Sequence, residues 1–459
     1  MSLLNILERS RSSIKPGFER MRSAMFELGL SQETLPPALL IAGTNGKGTT
    51  SGILWRLLSL SGLRCGLYTS PHLVSFHERI QVSHQSIDMN FLEEALEDLR
   101  LRLSDVTYES LTFFELTTLL AFFVFQKTGC EVIVLEVGLG GRWDATNIID
   151  PIASAVVSID YDHQEWLGDS LSEIAREKLG VARSQTPLFW GDLVHQKELE
   201  KTLEEARRDA GFLLFRVGEH FGLDPNGREG FVRLSSHMKN YPLPKFVEER
   251  ADVLKSNFAL AFALYSWCMQ ERKFSSARFD QDVINFFDDR KGSWPYSFLG
   301  RMEKMRVSRG AEETWDFYLD VSHNVASIRE CVRTLYSAGV LHEGRKKVPG
   351  FVSILRDKDL GSMLELLREI FEPFVLFKVD HERSITEERL RECDPNLLLY
   401  DSFESLWGDF ATRISSPIVV CGSFYAVGSV LEYFGASTKD ISSEHMFKGY
   451  DTRLPSPLI

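Results

Sequence analysis

From Ala38 onward, short apolar runs alternate with helical patterns, the signature of βα units and a mainly parallel sheet. Ala38–Ala42 predicts a strand that ends in the glycine loop GTNGKGTTSG, and Ile53–Leu60 continues as a helix. Cys65–Thr69, Glu131–Val137 (EVIVLEV, followed by GLGGRWDATN) and Ala153–Asp160 (ASAVVSID, followed by DHQEWLG) predict further strands. In each case the chemistry-bearing residues follow the carboxyl end of a strand, where open parallel sheets bind ligands. A Gly/Pro-bearing stretch, Lys291–Ser297, reads as a linker. Beyond it Trp315–Asp320, Gly350–Leu355, Phe374–Val379 and Pro417–Cys421 predict strands, with helical patterns at Val325–Ser337 and Asp359–Phe371. The fold class is α/β: an N-terminal domain over 1–293 with a mainly parallel sheet, a smaller α/β domain over 294–435, and a loosely held polar tail over 436–459.

Composition narrows the classes. With 459 residues, 44% of them apolar and 25% charged, the chain is globular and long enough for two or three domains, each with its own core. A net charge of -13 disfavours a general polyanion binder, so nucleic acid is not an expected partner and any anionic ligand must be held by a local site. Basic residues Lys47, Arg56, Arg64 and Arg79 surround the glycine loop in sequence, whereas acids concentrate in 85–110. The six cysteines show no CxxC pair or metal-ligand spacing, which suits a reduced, cytoplasmic protein. The N-terminus has no signal-peptide pattern, and the dense apolar run Leu116–Phe125 is too short to span a bilayer, so a soluble protein without a membrane partner is expected.

The loop Gly43-Thr44-Asn45-Gly46-Lys47-Gly48-Thr49 joins a strand to a helix. Glycines let backbone N–H groups turn around phosphate oxygens, the helix N-terminus adds its positive dipole, and Lys47 supplies a mobile cation. The residue after Lys47 is glycine, not the Ser or Thr whose hydroxyl usually meets magnesium. Either Thr49 or another hydroxyl takes that task. Ser70, in Ser70-Pro71-His72, offers one, although an ordinary Ser-Pro turn explains it equally well. Glu136 is a carboxylate in an apolar strand, costly unless it meets a cation or an ion-pair partner such as Arg142; magnesium takes such hard oxygen ligands beside nucleotide phosphates. On sequence alone His163, just past a strand end, reads as a satisfied surface or core residue, and Lys178, near a helix end, as part of a solvated face. Asp320 and His323 stand where a strand end meets a helix start, with Asn324 as a helix cap; the functional alternative is contact with nucleotide or substrate. Arg301 could send a guanidinium to a phosphate, as could other arginines.

Taken in order, AGTNGKGT (42–49), TSPHLVSFHERI (69–80), TFFE (112–115), LEVGLGGRWDATN (135–147), DHQEWLG (162–168), IAREKLGVA (174–182), LGRME (299–303), DVSHN (320–324), RDKD (356–359) and CGSFYAVG (421–428) resemble the folylpolyglutamate synthase/dihydrofolate synthase family, within the Mur-type ATP-dependent amide ligases. The resemblance implies an N-terminal P-loop ATPase domain and a C-terminal Rossmann-like domain. It implies that ATP converts a carboxylate into an acyl phosphate that the amine of L-glutamate attacks. The substrates implied are dihydropteroate and reduced folates, handled by a monomer. Carried over residue by residue, Gly43, Thr44, Asn45, Gly46, Lys47, Gly48 and Thr49 hold phosphates, Asn257 lies near adenine, and Arg301 faces the phosphates. Ser70 and Glu136 bind one magnesium, His163 helps to bind a second, and Lys178 matches a carbamylated lysine able to ligate metal. Asp320 and His323 stand beside the nucleotide or the acyl phosphate, and Thr112, Phe114, Asp144 and Ala145 near the pterin. The chain departs from the family pattern at Leu40, Leu254 and Val325.

Two alternatives are weighed against this. A Mur-type cell-wall ligase calls for an extra N-terminal domain and a Thr directly after the loop lysine, where this chain has Gly48. A P-loop ATPase or switch that hydrolyses ATP without ligation would need no glutamate.

Overall fold

The computed structural model describes residues 15–224, 229–233, 239–244, 247, 251–271, 300–309, 313–342, 344, 347–435 and 450–453. They fall into two compact units, one of Met1–Pro71, Phe76–Asp160 and Gln164–Asp289, the other of His72–Ser75, Tyr161–His163 and Arg290–Ile459. The linker read at Lys291–Ser297 lies outside the described residues.

The first unit is built on a seven-stranded sheet of β1 (Ala38–Ala42), β2 (Cys65–Tyr68), β3 (Ile80–Val82), β4 (Val132–Glu136), β5 (Ala153–Val156), β6 (Pro187–Trp190) and β7 (Leu213–Arg216), in the order β3-β2-β4-β1-β5-β6-β7. All pairings are parallel except β2 with β3. β1, β2, β4, β5 and β6 are buried at every position, as expected of parallel strands covered on both faces. β1 lies between β4 and β5, with Ile41 opposite Glu136 and Ala42 opposite Val156. The order therefore sets the glycine loop between the segments that follow the other two strands. Helix α1 (Lys47–Leu60) leaves the loop; α2 (Phe113–Lys127) is apolar almost all round and almost wholly buried, a core helix rather than a surface one. α3 (Leu171–Leu179) opens on a Ser170/Glu173 capping box, and α4 (Asp252–Glu271) packs on α1, where Ser61 and Tyr265 share a 2.6 Å hydroxyl bond. A small antiparallel sheet of β8 (Phe221–Leu223), β9 (Glu229–Val232) and β10 (Lys239–Pro242) completes the unit.

The second unit carries another seven-stranded sheet: β11 (Glu303–Arg309), β12 (Glu313–Leu319), β13 (Val348–Val352), β14 (Phe371–Phe377), β15 (Leu398–Tyr400), β16 (Ile418–Cys421) and β17 (Tyr450–Arg453), ordered β15-β14-β13-β16-β12-β11-β17. Only β11 with β12 is antiparallel. The carboxyl ends of β12, β16 and β13 are therefore neighbours. From these ends run α5 (Val325–Ser337, capped by Asn324), α6 (Leu360–Arg368, capped by Asp359) and α7 (Phe424–Tyr433, capped by Ser423).

The structure revises two readings. The strand expected over 153–160 stops at Val156, because Ser158 and Asp160 turn their hydrogen bonds to the glycine loop and Ile159 N–H donates to Asp192. Residues 450–453, inside the segment read as a loose tail, form an edge strand paired in parallel with β11. The sheets are mainly parallel as expected, while β11 (EKMRVSR) forms an antiparallel hairpin with β12. All six cysteines are free, and among the described residues no helix is long and apolar enough to cross a membrane.

Candidate active site

The glycine loop is held from outside its own sequence. Thr44 N–H donates to Ser158 O at 2.8 Å, and Thr44 Oγ1 donates to Asp160 O at 3.1 Å while accepting the Asp160 N–H at 3.0 Å. Ser158 Oγ accepts Asn45 N–H and donates to Asn45 O, each at 3.0 Å. Gly46, the N-cap of α1, has φ 83°, a left-handed conformation that glycine adopts without a Cβ clash. A Cβ there would lie 2.8 Å from Asn257 Oδ1 and 3.0 Å from Val157 Cγ1, so Asn257, the expected adenine neighbour, abuts the loop. Two lysines converge on one carbonyl: Lys47 Nζ donates to Gly43 O and Thr44 O, both at 3.1 Å, and Lys178 Nζ to Gly43 O at 2.9 Å. Lys178 is only 4% exposed, so the solvated helix face suggested by its sequence position alone is overturned. The segment 138–142 packs closely on the end of α3 that carries it; a Cβ on Gly141 would lie 2.8 Å from the carbonyl oxygens of Glu177 and Lys178.

Glu136, at the end of β4, is 5% exposed and accepts the Ser70 N–H at 3.0 Å. Arg142, the ion-pair partner considered for it, instead lies 3.4 Å from Glu177. Both carboxylate oxygens of Glu136 face Gly48, where a Cβ would stand 3.3 Å from each. The departure from Ser/Thr after the loop lysine thus leaves room beside a buried carboxylate. Glu136 presents two hard carboxylate oxygens, the donor type that a divalent cation such as magnesium takes, next to the glycine loop and the Ser70 backbone. Among the described residues no group of three or more His, Cys, Asp or Glu gathers as a metal cluster.

The residues assigned to the pterin are tied tightly into the fold. Thr112 caps α2 in a capping box with Glu115, which Arg20 approaches at 2.9 Å. The Phe114 ring covers Gly138, where a Cβ would fall 2.5 Å from it, and is tilted against Tyr68 with 6.0 Å between centroids. Asp144 is buried and accepts from Leu139 N (2.9 Å), Thr146 N (3.0 Å) and Thr146 Oγ1 (2.6 Å), which folds the loop back on itself. Burial pushes its pKa above the ordinary carboxylate value, against the pull of these donors. Ala145 is buried at the start of the 3₁₀ turn Ala145–Ile148.

In the second unit the residues after β12 separate into two roles. Asp320 accepts Met302 N and Ser322 N, both at 2.9 Å, so its carboxylate fixes the strand-to-helix turn; burial raises its pKa, and nearby Arg301 opposes this. Arg301 itself lies over the Phe424 ring, 5.0 Å from its centroid. His323 donates Nδ1–H to Val321 O at 2.9 Å and directs Nε2 at Asp162 Oδ2, 3.6 Å away. Asp162 also accepts Asn324 Nδ2 (3.0 Å), Lys358 Nζ (2.6 Å) and the backbone N–H of His163 (2.9 Å). Burial alone would raise its pKa, but the His323 bond foremost, with the charges of His163 and Lys358, holds it well below the usual range. His163 has φ 52°, uncommon for a residue with a Cβ.

Sequence reasoning missed Ser158, Asp162 and Lys358. Asp162 and Lys358 stand inside motifs already noted, DHQEWLG and RDKD, but their 196-residue separation hides the pairing. Ser158 was read as part of a strand.

No protein-family model matches the chain. The dihydrofolate synthase/folylpolyglutamate synthase of Escherichia coli (strain K12) is 30% identical over 442 residues, covering 95% of each chain. Among solved structures, E. coli FolC in complex with DHPP and ADP superposes with a TM-score of 0.72 at 27% identity, over 94% of this chain and 96% of that one. A bifunctional folylpolyglutamate synthase/dihydrofolate synthase with Mn, AMPPNP and L-glutamate bound gives 0.73 at 26%, over 94% and 97%. With the ordered motifs and the glycine-loop geometry, this relationship along nearly the whole chain places the protein in the dihydrofolate synthase/folylpolyglutamate synthase family.

Proposed function

We propose that this protein is an ATP-dependent ligase that joins L-glutamate to dihydropteroate and to reduced folates. The observation that carries the proposal is the convergence of Lys47 and buried Lys178 on the Gly43 carbonyl, in a loop whose flank presents Glu136 across Gly48. Membership of the family, and relatives solved with a nucleotide analogue, Mn, glutamate and DHPP, support the choice of substrates.

In this reading a substrate carboxylate oxygen attacks the γ-phosphorus of ATP, the bond to the ADP oxygen breaks, and an acyl phosphate forms. The glutamate amine then attacks the acyl carbon, the C–O bond to phosphate breaks, and the nitrogen loses a proton as the amide forms. The glycine loop and Lys47 offset the charge of the β- and γ-phosphates, a stabilisation that is strongest where water is excluded. Ser70 and Glu136 are the proposed holders of magnesium, which when bound would neutralise phosphate charge and polarise the transferred group. His163 is proposed as a further metal ligand. Carbamylation of Lys178 by CO2 would replace an ammonium with an anionic oxygen donor, suited to a cation rather than to the Gly43 carbonyl. Asn257 is proposed beside adenine, Arg301, Asp320 and His323 beside phosphate or acyl phosphate, and Phe114, Asp144 and Ala145, with Thr112, near the pterin. The domain limits 293/294, a monomeric state and a cytoplasmic location belong to the same proposal; light scattering decides the oligomeric state.

Phosphate release from ATP tests the reading. It should require both L-glutamate and dihydropteroate or tetrahydrofolate, and mass spectrometry should find the glutamyl adduct. Hydrolysis that ignores glutamate would overturn it.

A further inference from the structure

The Asp162 cluster holds a conflict that the proposed function does not use. Lys358, in the loop between β13 and α6, and Asp162 form an ion pair whose side chains are 6% and 7% exposed. Burial of an ammonium is tolerated when a carboxylate meets it at short range, and here Nζ lies 2.6 Å from Oδ1. The same ammonium lies 3.5 Å from His163 Nε2. Lysine has donors only, so in this contact Nε2 is the acceptor. Nε2 also lies 3.8 Å from Asp162 Oδ2.

The contact engages Nε2, whose lone pair is one through which imidazole ligates metals. One lone pair serves one partner at a time. We infer that Lys358 is a built-in competitor for the His163 lone pair, its ammonium occupying the place between His163 and Asp162 for which a divalent cation must contend. A cation bound by Nε2 displaces the Lys358 contact, and the repulsion between the two positive charges a few ångströms apart sets how readily it does so. Asp162 remains tied by Asn324 and the His163 backbone N–H, so the histidine's backbone stays placed while the ammonium moves. This rests on the reading of His163 as a metal ligand.

Mn2+ binding, followed by electron paramagnetic resonance without nucleotide or turnover, tests it. K358M keeps the length of the side chain and removes the charge; it should bind Mn2+ at least about tenfold more tightly than the wild type. The gain should vanish in an H163A background, which a merely structural effect of K358M would not reproduce. Should K358M fail to fold, D162N/K358M is compared with D162N, and the same gain is expected. Unchanged or weaker Mn2+ affinity on loss of the ammonium, or a gain that persists without His163, overturns the inference. Wild-type protein that shows no glutamate-dependent turnover would instead sink the functional reading, and the Mn2+ titration would still report on Lys358.

Discussion

Gly48→Ala separates the stability of the glycine loop from its chemistry. Gly48 is the second residue of α1 in ordinary helical backbone, so alanine brings a helix-propensity gain of up to about 1 kcal/mol. The added Cβ stands 3.3 Å from both Glu136 oxygens, a contact relieved by a shift of a few tenths of an ångström. These effects oppose each other, and the net change should stay within about 1 kcal/mol, or roughly 2–4 °C in Tm for a unit of this size. The effect on a cation should be larger. Magnesium sits about 2.0–2.1 Å from its oxygen ligands and demands near-octahedral surroundings, so a methyl group against both carboxylate oxygens occupies the face that the ion and its other ligands need. If the loss resembles that of a displaced supporting ligand, half-maximal activity requires about ten- to a hundredfold more Mg2+, equivalent to about 1.4–2.7 kcal/mol. The assay is glutamate-dependent phosphate release against Mg2+ concentration, alongside thermal unfolding. G48A with wild-type Mg2+ dependence would refute the placement of the cation beside Glu136; a variant that loses several kcal/mol of stability would refute the packing argument.

Ser158→Ala deletes both bonds between Oγ and the Asn45 backbone, costs about 1–2 kcal/mol, and should raise KM for ATP more than KM for dihydropteroate; equal rises would contradict a loop-specific role. Lys178→Ala should abolish turnover while circular dichroism stays native, and 13C-labelled bicarbonate should give a carbamate signal in the wild type alone; a fully active K178A ends the proposed role. Because burial raises the Asp144 pKa above its unfolded value, the folded state loses stability as pH rises from about 3.9 through the folded pKa. D144N should lack that slope, with denaturant midpoints across the window as the measurement, and should lose about 1–3 kcal/mol where its amide meets the Leu139 N–H.

The parts of the fold legible in the sequence were those governed by local periodicity. The pattern Val325–Ser337 coincides with α5, and Asn324 caps it as expected. The apolar runs around β1, β2 and β4 gave those strands to within a residue or two at each end. β11 escaped because a segment with charges at Glu303, Lys304, Arg306 and Arg309 and apolar residues only at Met305 and Val307 also reads as loop. Ser158 reads as strand because it lies between the apolar Ala155–Val157 and Ile159; the hydrogen bonds it makes to the glycine loop instead take it out of the ladder, and the strand ends at Val156.

By itself the sequence determined which chemical groups the protein carries and in what local setting: a glycine loop between strand and helix, a carboxylate at a strand end, and a set of motifs in family order. These depend on residues adjacent in the chain, whose spacing and propensity are fixed before folding. Tertiary structure alone decided which of these groups meet. The order β4-β1-β5 brings Glu136 and Ser158 to the glycine loop, Lys178 crosses 135 residues to reach Gly43, and Lys358 crosses 195 to reach His163. Such contacts arise because burial of parallel strands ranks them side by side and a buried charge must find a partner wherever the chain delivers one.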